Sequence, residues 1–235
     1  LTSEWSKYRW APVNAEHTAS LRDEEGYMWH ESDQVEEHVD LDEVEGEIRA
    51  QIERCKRLGL TNPSHLDNHM GSLYGIETGR FELLELTLSL AGEYGLPFRF
   101  PGSFTEAQFN NTMLDINIDK SMIEMVFGKV VAFAKQQGVA IPDYLMPNEW
   151  NEPQTQSYEQ FREYLYDLYA SIPEGVTETY LHPAKESDDL KGTSSVWERR
   201  VWEYRVMSDP ATKQHIEAHG IKLINYRDLA AMRKA

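Results

Sequence analysis

The segment Ser64-His65-Leu66-Asp67-Asn68-His69-Met70-Gly71 sets two imidazoles and a carboxylate at alternate positions. On an extended strand, residues i, i+2 and i+4 point to one face. His65, Asp67 and His69 would then share a face and, at a strand end, converge on one pocket. On a helix the two histidines would still meet, but Asp67 would turn away. A neutral imidazole binds a divalent metal through one ring nitrogen while a carboxylate holds the other N–H. The trio supplies at most two ligands and one orienting group, too few for a complete site. The competing reading is a polar turn, with Asp67 or Asn68 serving as a cap.

A second place for chemistry is Tyr180-Leu181-His182-Pro183-Ala184. His182 would end an alternating, β-branched and aromatic segment that starts at Val176. A histidine at a strand end is placed for general acid or base work, or else it is an ordinary turn residue. His17, His30, His38, His215 and His219 sit in charged surroundings and read as solvated.

Positioning these groups requires strands alternating with helices. The stretch Asp40–Leu60 carries Val44, Ile48, Ile52 and Cys55 on one stripe, acids in its first turn, bases near its end and Gly59 as its stop. That pattern predicts a capped amphipathic helix with Cys55 as a small core residue. Further helices are expected over 79–95, 120–137, 157–172, 195–207, 208–220 and 227–235. Strands are expected near 64–69, 97–100, 139–145, 176–184 and 221–226. Residues 1–40 look irregular, and 99–117 reads as a long loop after a strand. Alternating strands and helices predict an α/β fold with a parallel sheet or barrel.

Composition narrows the partners. Forty acidic against 23 basic residues give a net charge of −17. Such a surface repels phosphate backbones and anionic lipid, so neither nucleic acid nor membrane is an expected partner. No apolar run approaches the ~20 residues of a membrane span. The single cysteine, Cys55, forms neither an intrachain disulfide nor a cysteine zinc cluster, and is consistent with a reducing cytoplasm. The first residues show neither the basic region nor the apolar core of a signal peptide.

The order and spacing of four segments resemble the YdjC-like carbohydrate deacetylases, of which the chitooligosaccharide deacetylases are the best known. These segments are Glu47–Gly71 with its His-x-Asp-x-His core, Tyr180–Ala184, Arg199–Met207, and His219–Leu229. The resemblance covers about Asp42 to Leu229. It implies a distorted (β/α) barrel, a single domain over 1–235, that removes the acetyl group from an N-acetylated sugar. It also implies a divalent metal, Mg²⁺ foremost with Zn²⁺ as the alternative, held by one Asp and two His. Residue by residue, His69 carries over as a metal ligand, His65 and Asp67 as its neighbours, and His182 as the candidate acid. Arg200 and Glu203 match the family's Arg-x-x-Glu segment; three apart on a helix, they would pair at the barrel mouth or else form a solvated surface pair. Arg99, after a short strand, is a further candidate for substrate contact. Trp5, Trp10 and Trp29 would stack on sugar rings or pack in loops.

One departure stands out. The family's Asp-Asp strand and Gly-x-His segment are not found, and Leu1-Thr2 looks like the tail of the latter. The expectation is therefore that two metal ligands, the catalytic base and the first strands lie upstream, making 1–235 an incomplete domain. A small carbohydrate is the expected partner, and self-association into a homo-oligomer is expected of an open barrel. Two alternatives to the deacetylase stand beside it: a sugar-binding or scaffold remnant of the fold, and a metal-dependent hydrolase of another amide or ester.

Overall fold

The computed structural model describes residues 1–105 and 120–234, with side chains left out at 120–123 and 234. The chain forms two compact units. One takes in Leu1–Gly102 and the described parts of Ile116–Ile141 and Asn225–Ala235; the other takes in the described part of Ser103–Asp115 and Pro142–Ile224.

In the first unit the helices are α1 (Ser32–His38), α2 (Leu41–Arg57), α3 (Glu82–Tyr94) and α4 (Lys120–Gln136). Asp40 caps α2, its side chain accepting from the amides of Asp42 and Glu43. The acids Asp42 and Glu43 sit at the positive end of α2, and Arg54, Lys56 and Arg57 at the negative end. Val44, Ile48 and Ile52 are buried, as their spacing predicts. Cys55 is exposed, which corrects its expected core role. The core ends at Ile52, and the last turn of α2 runs on past it, leaving Leu58 outward as well. Gly95 closes α3 in the left-handed region (φ 66), a conformation glycine adopts without strain. Helix α1 arises inside the stretch expected to be irregular; Gln34 accepts from the Glu31 amide at 3.1 Å, a local starting signal.

Parallel β-structure in this unit is a bridge between Leu66 and Phe98. The Phe98 amide then donates to the Ala140 carbonyl at 3.0 Å. Leu84, Leu88, Ala91, Phe98, Phe100 and Ala134 pack into one core, and Val35, Val44, Ile48, Leu73 and Leu83 belong to another. The unit also holds α9 (Tyr226–Lys234).

In the second unit, β1 (Tyr144–Leu145) pairs parallel with β2 (Thr177–Glu178), Tyr144 opposite Thr177. Helices α5 (Tyr158–Ala170), α6 (Asp188–Thr193), α7 (Trp197–Ser208) and α8 (Pro210–Ala218) complete it. Ser157 caps α5 and Asp209 caps α8, with Pro210 at the first position where no amide is needed. Phe161, Leu165, Tyr169, Val206 and Ile216 form the core.

Two expected strands are corrected. Among the described residues, the ladder expected over 176–184 pairs at Thr177 and Glu178 alone. Residues 221–225 form no strand: Ile221 packs on the core while Leu223 is 70% exposed, so the alternating pattern does not lie on one buried face. Most of the expected long loop falls at 106–119, outside the described residues. No helix among the described residues is long and apolar enough to cross a membrane.

Candidate active site

The histidine motif of the first unit is extended, as its alternation predicts. The Leu66 amide donates to the Pro97 carbonyl at 2.8 Å, and the Arg99 amide donates to the Leu66 carbonyl at 3.1 Å. Leu66 thereby faces the core clusters, and its polar neighbours take other directions. Asp67 accepts from Arg99 Nη1 at 2.8 Å, with the two side chains 37% and 23% exposed. This corrects the expectation that Asp67 orients an imidazole: a full positive charge outcompetes a neutral ring for the carboxylate. One nitrogen of the Arg99 guanidinium is thus held by Asp67. The Arg99 carbonyl in turn accepts from the Tyr74 hydroxyl at 2.7 Å.

The two histidines part company. His65 lies face to face with Tyr226 (ring centroids 3.9 Å, 4° between planes), with Nδ1 2.9 Å from Ser64 Oγ. His69 opens a single 3-10 turn, His69–Gly71, and is half exposed. Its Nε2 lies 2.8 Å from Glu4 Oε1. The expectation that both rings enter one cavity is therefore corrected. Strand alternation stops at Asn68, whose Oδ1 accepts from the Leu73 amide at 3.1 Å and starts the turn.

A cavity of about 840 Å³ opens beside this segment, with Asp67, His69, Glu4, Trp5, Trp10 and Phe98 in its wall. Among the described residues, three buried polar atoms on its lining have no hydrogen-bond partner: Thr2 Oγ1, Glu4 Oε2 and Asn68 Nδ2. In kind, the donors beside His69 suit a divalent ion: an imidazole nitrogen and a carboxylate with a spare buried oxygen. In number they fall short, because no three His, Cys, Asp or Glu side chains gather among the described residues. Glu4 lies 65 residues from His69 in sequence, and no local pattern could have found it.

In the second unit, His182-Pro183-Ala184 lies along α7. The His182 amide donates to Glu203 Oε2 at 2.7 Å, and the Ala184 amide donates to the Arg200 carbonyl at 3.0 Å. Proline between them has no amide to satisfy. The His182 side chain is exposed, and the Tyr180 ring stands edge-on to it at 6.0 Å.

Glu203 is 0% exposed, and its other oxygen accepts from Arg199 Nε at 2.9 Å and Asn148 Nδ2 at 3.2 Å. Arg199 also donates to the Asn148 carbonyl at 2.9 Å and to Asn148 Oδ1. Two expectations are corrected here. Glu203 pairs with Arg199 four residues back, the geometry that α-helical spacing favours, and Arg200 Nε instead donates to Ser194 Oγ at 3.2 Å. Glu203 is also buried, so it has no oxygen to offer a substrate. Nearby, burial and then the Glu203 charge push the Tyr169 hydroxyl up to about 12, which keeps that phenol neutral.

The YdjC-like protein family model matches residues 1–218. A carbohydrate deacetylase of Enterococcus faecalis (strain ATCC 700802 / V583) is 30% identical over 92% of this chain and 70% of its own length. One from Thermoanaerobacter pseudethanolicus (strain ATCC 33223 / 39E) is 26% identical over 90% of this chain and 70% of its own. A crystal structure from E. faecalis V583, named as a candidate cellobiose-phosphate cleavage protein, superposes with a TM-score of 0.65 at 29% identity, covering 93% of this chain and 72% of that one. The motifs around His69 and His182 thus sit inside a likeness that runs through nearly the whole chain, and the chain belongs to the YdjC-like protein family.

Proposed function

We propose that this chain belongs to a metal-dependent carbohydrate deacetylase, a hydrolase that removes the acetyl group from an N-acetylated sugar. The observation that carries the reading is the deacetylase relative at 30% identity over 92% of the chain. His69, on the wall of a cavity that also holds two tryptophans, is consistent with it. A (β/α) barrel is the architecture that fits the proposal.

In this reading His69 would hold a divalent ion, Mg²⁺ or Zn²⁺, with the spare oxygen of Glu4 as a further oxygen donor, and the ion would polarise an acetyl carbonyl and lower the pKa of water. The family resemblance makes His182, in the second unit, the candidate donor of a proton to the departing sugar amine, since an amine leaves readily only when protonated. Asp67 fixes Arg99, and Trp5 and Trp10 offer flat apolar faces to a sugar ring.

The test is a release assay on three substrate classes: N-acetylglucosamine oligomers, an O-acetylated sugar, and an acetylated peptide amine. Acetate from the amino sugars alone is the expected result. Preferential release from the ester or the peptide would replace the substrate class. Binding of the oligomers with no acetate released under any metal would make the protein a sugar-binding member of the fold.

A further inference from the structure

His182 needs fixing by something other than a strand. Strand β2 ends at Glu178, and the next residue after His182 is a proline. The segment is instead clipped to α7 at two points one helical turn apart, the Arg200 carbonyl and the Glu203 carboxylate. Only the second involves a side chain. We infer that Glu203 is a positioning residue for His182, a buried anion whose hold on the His182 amide sets where the imidazole stands. The inference rests on the reading of His182 as the proton donor.

Several features support it. Both oxygens of Glu203 are committed, one to the His182 amide and one to Arg199 and Asn148, so the carboxylate has no freedom to rotate. A buried carboxylate is costly unless paired, and apolar residues would fill the space as well. What an anion adds is a short, directional bond to an amide, and here that amide belongs to the one histidine of the chain that precedes a proline. The chain uses the same device elsewhere. Buried Glu47 accepts from the amides of Val13 and Asn14, and buried Glu36 from the amide and hydroxyl of Thr78. Those two anchor loops; only Glu203 anchors a candidate acid. Arg199, four residues back, balances the charge, and Asn148 ties both to the carbonyl of Tyr180 (3.4 Å) on the same segment.

The first measurement needs no substitution. Hydrogen exchange of the His182 amide, followed by NMR in the unaltered protein, should be as slow as that of amides inside α7. Exchange at the rate of an exposed amide overturns the inference. The second is a kinetic cycle on an N-acetylglucosamine oligomer. Glu203→Gln keeps the volume and one acceptor but loses the charge. It should lower kcat roughly 10- to 100-fold, the usual consequence of a small misplacement, and leave KM within about 2-fold. The double variant His182→Ala/Glu203→Gln should match His182→Ala within about 3-fold, because a residue acting through His182 has nothing left to act on. Losses that multiply in the double variant, with His182→Ala impaired, overturn the role of Glu203 alone. A fully active His182→Ala overturns the proton-donor reading instead. If Glu203→Gln does not fold, the amide exchange rate decides.

Discussion

The two histidine motifs are held in opposite ways. Around His69 the polar side chains hold one another near the surface: Asp67 with Arg99, His69 with Glu4, and His65 with Tyr226. Around His182 the fixing is internal. A buried carboxylate, a guanidinium and an amide grip the backbone at His182. The first arrangement leaves side chains able to exchange partners, which suits a metal or substrate arriving in the cavity. The second fixes a length of backbone through a buried anion. A substitution should therefore have very different consequences in the two places.

The largest effect is expected at the buried network. Glu203→Ala strands Arg199 and Asn148 and frees the His182 amide, and removing one partner of a buried pair costs about 3–5 kcal/mol. Denaturant unfolding measures it; a loss below about 1 kcal/mol would put the two motifs on the same footing. Next is the ring pair of the first motif. Tyr226→Ala removes a stacked partner from His65 and should cost about 0.5–1.5 kcal/mol by the same method. Asp67→Asn should cost less, about 0.2–1 kcal/mol, because its pair with Arg99 is partly exposed. That loss should shrink further in 1 M salt, while the cost of Glu203→Ala stays put. Equal salt sensitivity would break the comparison.

The smallest effect concerns pH. Glu43 is gripped by donors as Glu203 is, but nearer the surface. The Ser20 hydroxyl (2.6 Å) holds its carboxyl below the ordinary value of 4.5, a pull that burial opposes and the Ser20 amide (2.8 Å) reinforces. A lowered folded pKa means stability that is present above 4.5 and lost as pH falls through the folded value. Glu43→Gln should therefore lower Tm at neutral pH, and the gap to the unaltered protein should close below that range. A gap that is constant with pH would show that Glu43 acts through packing alone.

What was legible in the sequence was what is local. Asp40, Gly95 and Asp209 mark helix ends through hydrogen bonds and backbone angles within a few residues, and the helices they bound are found where expected. The extended path at Leu66 was legible for the same reason. Partners were not. Glu4 meets His69 across 65 residues and Asn148 meets Glu203 across 55, and neither pairing leaves a periodic trace. Nor does any pattern in the sequence mark Glu36, Glu47 and Glu203 as the acids that turn inward to hold loop amides. Cys55 shows the reverse error: its stripe is real, but the core it should meet ends one turn earlier.

The central claim is that His69 serves a metal-dependent release of acetate from an amino sugar. Its most direct test is acetate release from N-acetylglucosamine oligomers with added Mg²⁺, Zn²⁺ or Co²⁺, comparing the protein with its His69→Ala variant while Co²⁺ absorbance reports metal binding. The prediction is metal-dependent release that His69→Ala abolishes together with the Co²⁺ signal, while His182→Ala keeps the signal and lowers release by roughly 10²–10⁴-fold. A His69→Ala variant that still binds Co²⁺ and still releases acetate would contradict the claim.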